Sequence, residues 1–269
     1  MCIRDSVIIG RCAGEANTDG NYAVVIGECA GGANGIDNNV VIIGREANRC
    51  GGATSNNSGN VIIGCQAGYK IAYHSQIAIG TKAAYNTCGS GGWTNTVIGY
   101  CAAYANTSGQ SSVFVGPHAG QCMASGNYNA IFGQKAGFTI DSGSGNAIFG
   151  AGAGMCYNSG SSGNTFIGRY AAKCQTGGNY NIAIGCKALS NGSSGSCNIA
   201  LGKLSMSANT MTGSNNITFG YKAGTSLTSG AHNFFAGHCA GASMQGGAGS
   251  CNIAIGMDAL CNNTSGQFL

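Results

Sequence analysis

The sequence predicts an all-β protein that folds as a parallel β-solenoid (β-roll) of about fifteen coils, each of about 17 residues. A unit of three apolar residues, Gly, two variable residues and Ala recurs along the whole chain. The glycines of successive units are 16 to 20 residues apart, which is too short for a helical hairpin but sufficient for one coil of short strands and turns. The segments between units are rich in Gly, Asn and Ser, as turns are.

The composition excludes several other classes of protein. The chain has 269 residues with 49 Gly and a single Pro, so a collagen helix, which needs abundant proline, is excluded. Hydrophobic residues make up 43% of the chain, which argues against a disordered protein. Charged residues make up 7% and the formal net charge is +4, which is too sparse for a nucleic-acid surface. No apolar run has the length of a membrane-spanning helix, so we expect no membrane insertion.

Each repeat position has an expected structural role when it is numbered from the motif glycine as position 0. Gly at 0 occurs in all fifteen copies and suits a corner with a positive φ. Ala at +3 occurs in fourteen copies and indicates close approach of backbones, and Asn at −4 occurs in ten copies and predicts a ladder of side-chain amides. Representative sets of these positions are Asn60, Gly64 and Ala67; Asn129, Gly133 and Ala136; and Asn181, Gly185 and Ala188.

The three apolar residues before the glycine form the predicted strand. Positions −3 and −1, such as Ile182 and Ile184, lie on one face of a strand, and we expect them to fill the coil interior. Position −2 then faces outward, yet it is apolar in fourteen of fifteen copies, with Thr218 the exception. An apolar outer column indicates that another surface covers it, so we predict a symmetric homo-oligomer.

The pattern Asn-x-[Ala/Val/Ile]-Ile-Gly-x-x-Ala resembles the head repeat of trimeric autotransporter (YadA-like) adhesins. The longer forms at Ala67-Gly68-Tyr69 and Ala136-Gly137-Phe138 resemble repeats of phage tail fibres, and the similarity covers residues 7–269. The resemblance implies a left-handed β-roll, a homotrimer, and an extracellular location on a virion tail fibre or a bacterial surface, where the chain attaches to a host and contacts surface glycans. Adhesin heads have somewhat shorter repeats, and fifteen cysteines are unusual for either family.

The chain ends bear on the extent of the domain. Residues 1–6 resemble the translation of a sequencing adapter found in metagenomic reading frames, and we expect them not to be native. The last residues are a polar stretch of the kind that elsewhere leads into another repeat. We therefore expect residues 7–269 to form a single β-solenoid domain within a longer chain.

The cysteines recur at fixed positions of the repeat. None forms a Cys-x-x-Cys pair, so a zinc ribbon or a thioredoxin-type site is not expected. One interpretation is that Cys serves here as a small hydrophobic residue. The other is that residues one coil apart, Cys12 with Cys29 and Cys156 with Cys174, form disulfides.

The titratable residues do not form a recognisable active site or metal site. The four histidines fall at different phases of the repeat. Glu28 and Glu46 fall near a common phase of the repeat, whereas a glycosidase needs two carboxyl groups that face each other across a groove. We therefore expect no enzyme activity, catalytic residue, metal or cofactor. A polysaccharide-degrading tailspike enzyme stays an alternative, as does an ice-binding solenoid, although the threonines hold no common phase.

Aromatic residues are the best candidates for contact with a ligand. Tyr69, Tyr85, Tyr104 and Phe138 lie at position +5, and the first three belong to consecutive coils. This spacing is consistent with a stacked aromatic ladder and also with a sugar-binding stripe. Trp93 lies between motif copies and is a further candidate for surface binding.

Overall fold

A computed structural model of the chain describes residues 5–17, 20–32, 38–51, 58–71, 74–87, 94–156, 160–192, 194–208, 210–244 and 249–264. These residues contain fifteen strands of three residues each and no helix. Accordingly, this part of the chain has no helix that could cross a bilayer. The strands are β1 (Val7–Ile9), β2 (Val24–Ile26), β3 (Val41–Ile43), β4 (Val61–Ile63), β5 (Ile77–Ile79), β6 (Thr96–Ile98), β7 (Val113–Val115), β8 (Ala130–Phe132), β9 (Ala147–Phe149), β10 (Thr165–Ile167), β11 (Ile182–Ile184), β12 (Ile199–Leu201), β13 (Ile217–Phe219), β14 (Phe234–Ala236) and β15 (Ile253–Ile255).

The chain forms two compact units, residues 1–132 and 133–269. In the first unit β1 to β8 pair in parallel, each with the next strand along the chain. In the second unit β9 to β15 pair in the same way. The register joins equivalent motif positions, as in Ile182 with Ile199. Each unit is therefore a parallel β-solenoid in which one repeat forms one coil, which confirms the predicted fold class.

The motif glycine forms the corner that follows each strand. Its φ lies between +121° and +142° in all fifteen copies, a region that L side chains rarely adopt. A Cβ on Gly185 would also lie 2.6 Å from the carbonyl oxygen of Gly202 in the next coil. Backbone conformation and close approach therefore both require glycine, and the predicted corner is confirmed.

The two faces of the strands are the reverse of the expected ones. From β2 to β15 the middle residue, at −2, is buried, whereas positions −3 and −1 are half-buried or exposed. Phe166 at −2 is fully buried, and its neighbour Ile167 at −1 is 39% exposed. The prediction that −3 and −1 fill the interior was wrong. Apart from Thr96, Thr165 and Thr218, all strand residues are apolar, so polarity could not distinguish the faces. An interior that also holds Ala at +3 has room for one strand side chain per coil.

In several coils a large side chain at one of the positions −2 and +4 is combined with a small residue at the other, and together they fill the interior. A Cβ on Gly120 at +4 would lie 2.5 Å from the ring of Phe114 at −2. In another coil the sizes are exchanged, because Ala183 at −2 is accompanied by buried Leu189 at +4. The same pairing recurs at Phe235 with Gly241 and at Ala200 with Met206. Large and small side chains therefore alternate within one coil, as close packing requires.

The Asn residues at −4 are buried and form the predicted ladder. In the second unit the side-chain oxygens of the six ladder residues from Asn146 to Asn233 each accept the backbone N–H of the equivalent Asn in the next coil, at 2.8 to 3.0 Å. The amide nitrogen of Asn181 also donates to the carbonyl of Gly195, 14 residues further along the chain, at 2.9 Å. In the first unit Gln76 and Ser112 replace Asn and accept the same backbone bond, at 3.3 and 3.0 Å. The ladder is confirmed, with backbone N–H groups as its recurring donors.

The two exceptions to the consensus lie next to each other. Ser205 stands in place of Ala at +3, Thr218 stands in place of the apolar residue at −2, and both are fully buried. Their hydroxyl groups hydrogen-bond to each other. One polar substitution therefore satisfies the other, because a lone buried hydroxyl would be destabilising.

Candidate functional site

The outward-facing strand residues, at −3 and −1, form two apolar columns in each unit, which we call the outer columns. None of the fifteen copies has a charged residue at either position. In the second unit Phe149, Ile167, Ile184 and Phe219 are between 37% and 39% exposed. A continuous exposed apolar surface of this kind is uncommon on a monomeric protein and typical of an interface.

The three tyrosines of consecutive coils form a stack. The ring centroids of Tyr69 and Tyr85 are 4.8 Å apart, those of Tyr85 and Tyr104 are 4.9 Å apart, and each pair of planes is within 9° of parallel. The ladder interpretation is thus confirmed, and no ring face between neighbouring tyrosines is left for a sugar. Phe138 belongs to the second unit and is half-buried, and Trp93 lies outside the described residues.

Tyr69 also contacts a thiol of the preceding coil. A side-chain hydrogen bond with Cys50, together with partial burial, raises the pKa of Tyr69 to about 12. The phenol is therefore protonated at neutral pH. This end of the tyrosine stack offers a hydroxyl group for hydrogen bonding but no ionised oxygen for general-base chemistry.

The second unit carries an excess of positive charge. Residues 133–269 include six basic and two acidic residues, whereas residues 1–132 include six of each. Five of the six basic residues lie at positions +1 and +2, directly after the corner, where two tyrosines also lie. The ring of Tyr170 is contacted by Arg169 and Lys173, and that of Tyr221 by Lys203 and Lys222, at 5.1 to 5.8 Å from the ring centroids. We call the following residues the basic edge: Lys135, Arg169, Lys173, Lys187, Lys203 and Lys222.

A cavity of about 220 Å³ opens beside the basic edge. It is lined by Gln134, Lys135, Ala151, Gly152, Met155, Tyr170 and Lys173. Ala151 and Gly152 leave one coil almost without side chains at +1 and +2, and the Tyr170 ring packs against Gly152, where a Cβ would lie 2.6 Å from it. The lining includes two ammonium groups and no carboxylate, which favours an anionic ligand.

The two carboxylates of similar phase are each paired with an arginine. Arg11 pairs with Glu28, and Nη1 of Arg49 lies 2.7 Å from Oε1 of Glu46. A hydrogen bond from Gln66 and the guanidinium of Arg49 lower the pKa of Glu46. A glycosidase acid needs a raised pKa instead, so Glu46 is not suited to that role.

The described cysteines are all free, so neither predicted disulfide is formed. Equivalent side chains in stacked coils lie side by side at the strand spacing of about 4.8 Å, whereas disulfide Cβ atoms must converge to about 3.8 Å. Cys156 and Cys174 do meet as thiols, since burial and a hydrogen bond with Cys174 raise the pKa of Cys156. A raised pKa favours the unreactive protonated form.

Within the part of the chain that the structure describes, one cluster of possible metal ligands forms where the sequence predicts no metal site. The ligand atoms of His238, Cys239 and Asp258 all lie within 4.8 Å of one another. His238 and Cys239 occupy +1 and +2 of one coil, and Asp258 occupies +2 of the next. The sequence analysis compared the four histidines only with one another and so missed this cluster. Comparison of His238 with the cysteine and carboxylate that also lie at +1 or +2 could have revealed it.

No protein-family model, curated protein or solved structure matches this chain. The resemblance to adhesin heads and tail fibres consequently remains a hypothesis based on the repeat motif.

Proposed function

We propose that the chain is a structural and adhesive segment of an extracellular fibre, of the kind found in phage tail fibres or bacterial surface adhesins. Three copies pack side by side through their outer columns, with left-handed coils as in the families that the repeat resembles. The assembly holds or forms a rod that attaches to a host surface, and it needs no catalytic group or cofactor for that purpose.

The uncharged outer columns carry this proposal. A partner that covers them must present an apolar surface that continues over many coils at the same spacing of about 4.8 Å. Another copy of the same chain meets this requirement coil by coil, because thirteen of its fifteen strands carry two apolar outer residues and the other two carry one, with Thr96 or Thr165 at −3. Burial of this surface would stabilise the assembly by about 25 cal/mol for each Å² of apolar area removed from water.

Oligomeric mass measured by light scattering tests the assembly. We expect the mass of three chains, and we expect the double variant Ile167→Lys/Ile184→Lys to dissociate, because it buries two charges at the interface. Tyr180→Lys is the matched control, since Tyr180 is 67% exposed and lies outside the outer columns. A monomeric wild-type chain would overturn the proposal.

The basic edge and its cavity are the surface that we propose for glycan contact. Two ammonium groups beside a tyrosine ring suit a sugar that carries a carboxylate. We expect immobilised alginate, whose sugars are acidic, to bind the chain more strongly than neutral dextran, and added salt to weaken that binding. Lys135→Gln/Lys173→Gln should reduce alginate binding, whereas Lys70→Gln/Lys82→Gln in the first unit should not. Equal binding to both polymers would contradict this assignment, and release of oligosaccharides would indicate an enzyme instead.

A further inference from the structure

The cluster of His238, Cys239 and Asp258 lies outside the outer columns and has no part in the proposed function. Nδ1 of His238 lies 3.9 Å from Oδ1 of Asp258, and all three ligand atoms are within 4.8 Å of one another. Ligands that share one zinc ion are about 3.3 to 3.8 Å apart, given metal–ligand bonds of about 2.0 to 2.3 Å. The His238 and Asp258 side chains are each 54% exposed, and the His238 ring lies 5.2 Å from the ring of Tyr221. Rotation of the Asp258 side chain with a small adjustment of His238 closes the remaining gap of about 1 Å.

The backbone holds these three side chains at one corner. The N–H of Asp258 donates to the carbonyl of His238 at 2.8 Å, and the N–H of Cys239 donates to the carbonyl of Tyr221 at 2.9 Å. These bonds fix the Cα positions of the ligands across two coils before any ion binds. Little backbone order therefore has to be gained on binding, which is the condition under which a site of few ligands still binds well.

The donor set selects the ion. A thiolate and an imidazole are the ligands that Zn²⁺ and its neighbours in the first transition row prefer, whereas Ca²⁺ and Mg²⁺ require several oxygens. A carboxylate as the third ligand is also usual for Zn²⁺, and three protein ligands leave one position of a tetrahedron for water. The cluster therefore fits a late divalent transition-metal ion, not a hard cation.

We propose that His238, Cys239 and Asp258 bind one Zn²⁺ ion, which joins the last two coils of the second unit. The ion would connect β14 and β15 at their corner, because His238 and Cys239 follow β14 and Asp258 follows β15. Metal binding would then stabilise these two coils by an amount that rises with the logarithm of the free zinc concentration once that concentration exceeds the dissociation constant. The open fourth position would be available to water.

Titration of the reduced full-length chain with Co²⁺, as a spectroscopic substitute for Zn²⁺, tests the proposal. We expect one equivalent to give the visible bands of a tetrahedral ion and a near-ultraviolet thiolate band, and we expect Zn²⁺ to displace it. Cys239→Ser should remove the thiolate band, and His238→Ala and Asp258→Asn should each weaken Co²⁺ binding at least tenfold. These are direct ligands, and loss of even an outer partner costs about tenfold or more.

Two controls distinguish this site from adventitious binding by the other thiols. Cys186→Ser removes a half-buried thiol of the same unit, and His232→Ala removes an imidazole outside the cluster, so both should bind Co²⁺ as the wild-type chain does. Circular dichroism of each variant without metal checks that the fold is retained. The proposal is overturned if Cys239→Ser keeps the thiolate band, or if Cys186→Ser weakens binding as much as the three cluster variants do.

Discussion

The inner and outer faces of each strand carry the same kinds of residue but differ in what they contact. Phe166, at −2, is fully buried in its own coil, whereas Phe219, at −1, is 38% exposed. The inner face is specified in detail, since its side chains match Ala at +3 and the residue at +4. The outer face is specified only as apolar and uncharged. Both faces are therefore hydrophobic, but only the inner face is closely packed within its own coil.

Removal of a large side chain from each face is the sharpest test of this difference. Phe166→Ala should lower the free energy of unfolding by about 3 to 5 kcal/mol, because it leaves a cavity in a packed interior. Phe219→Ala should cost less than about 1 kcal/mol in the separated chain, because solvent already reaches that ring. Urea unfolding of both variants in dissociated protein gives the comparison, and equal losses would show that the two faces do not differ.

The small residue at −2 and the large residue at +4 of one coil can be exchanged by mutation for a large residue at −2 and a small one at +4. Ala183→Phe alone should cost about 1 to 3 kcal/mol by overpacking, and Leu189→Gly alone about 2 to 5 kcal/mol by leaving a cavity. The double variant reproduces the Phe114 and Gly120 arrangement, so it should be more stable than the sum of the single effects predicts, by about 0.5 to 3 kcal/mol. Thermal unfolding of the four proteins measures this coupling, and strictly additive effects would show that −2 and +4 do not share one space.

Loss of a buried polar side chain should likewise destabilise the chain more than loss of an exposed one. Asn181→Ala removes the buried acceptor of the Asn198 N–H and should cost about 1 to 3 kcal/mol, because that donor loses its partner without access to water. Asn179→Ala removes an exposed acceptor of the Ser162 N–H, which water can replace, and should cost less than about 1 kcal/mol. Hydrogen exchange at the Asn198 and Ser162 amides would report each loss, and similar losses would mean that burial does not set the ladder's contribution.

The smallest net change in stability is expected when both Ser205 and Thr218, the paired exceptions of the interior, are replaced together. Ser205→Ala should destabilise the chain by about 1 to 3 kcal/mol, because the buried Thr218 hydroxyl then loses its main partner. The double variant Ser205→Ala/Thr218→Val restores the consensus and should return to within about 1 kcal/mol of the wild-type stability. Urea midpoints of the single and double variants are the measurement. A double variant less stable than Ser205→Ala would mean that the hydroxyl pair is not what these two positions contribute.

Much of the fold could be predicted from the spacing of a few residues. Gly at 0 recurs because only glycine fits a corner at positive φ that lies against the next coil. Asn at −4 recurs because a short polar side chain there accepts the next coil's N–H, a role that Gln76 and Ser112 also perform. The tyrosines at +5 could be placed in a stack for the same reason, since identical phases in parallel coils bring side chains together. The inward face of the strand could not be predicted, because Ile, Val and Phe occur on both faces.

The sequence by itself determined the parallel coils, the corner glycines, the Asn ladder and the tyrosine stack, because the repeat period and the backbone hydrogen bonds of a parallel sheet impose the same register on every coil. Only the tertiary structure decided which strand face is interior, since that depends on the direction in which each coil closes. It also decided that the side-chain atoms of His238 and Asp258 come close together, because their positions at +1 and +2 place both residues at one corner but do not set the distance between those atoms. The repeat thus specifies which residues of successive coils stack on one another, and closure of the coil specifies which face of each strand is buried.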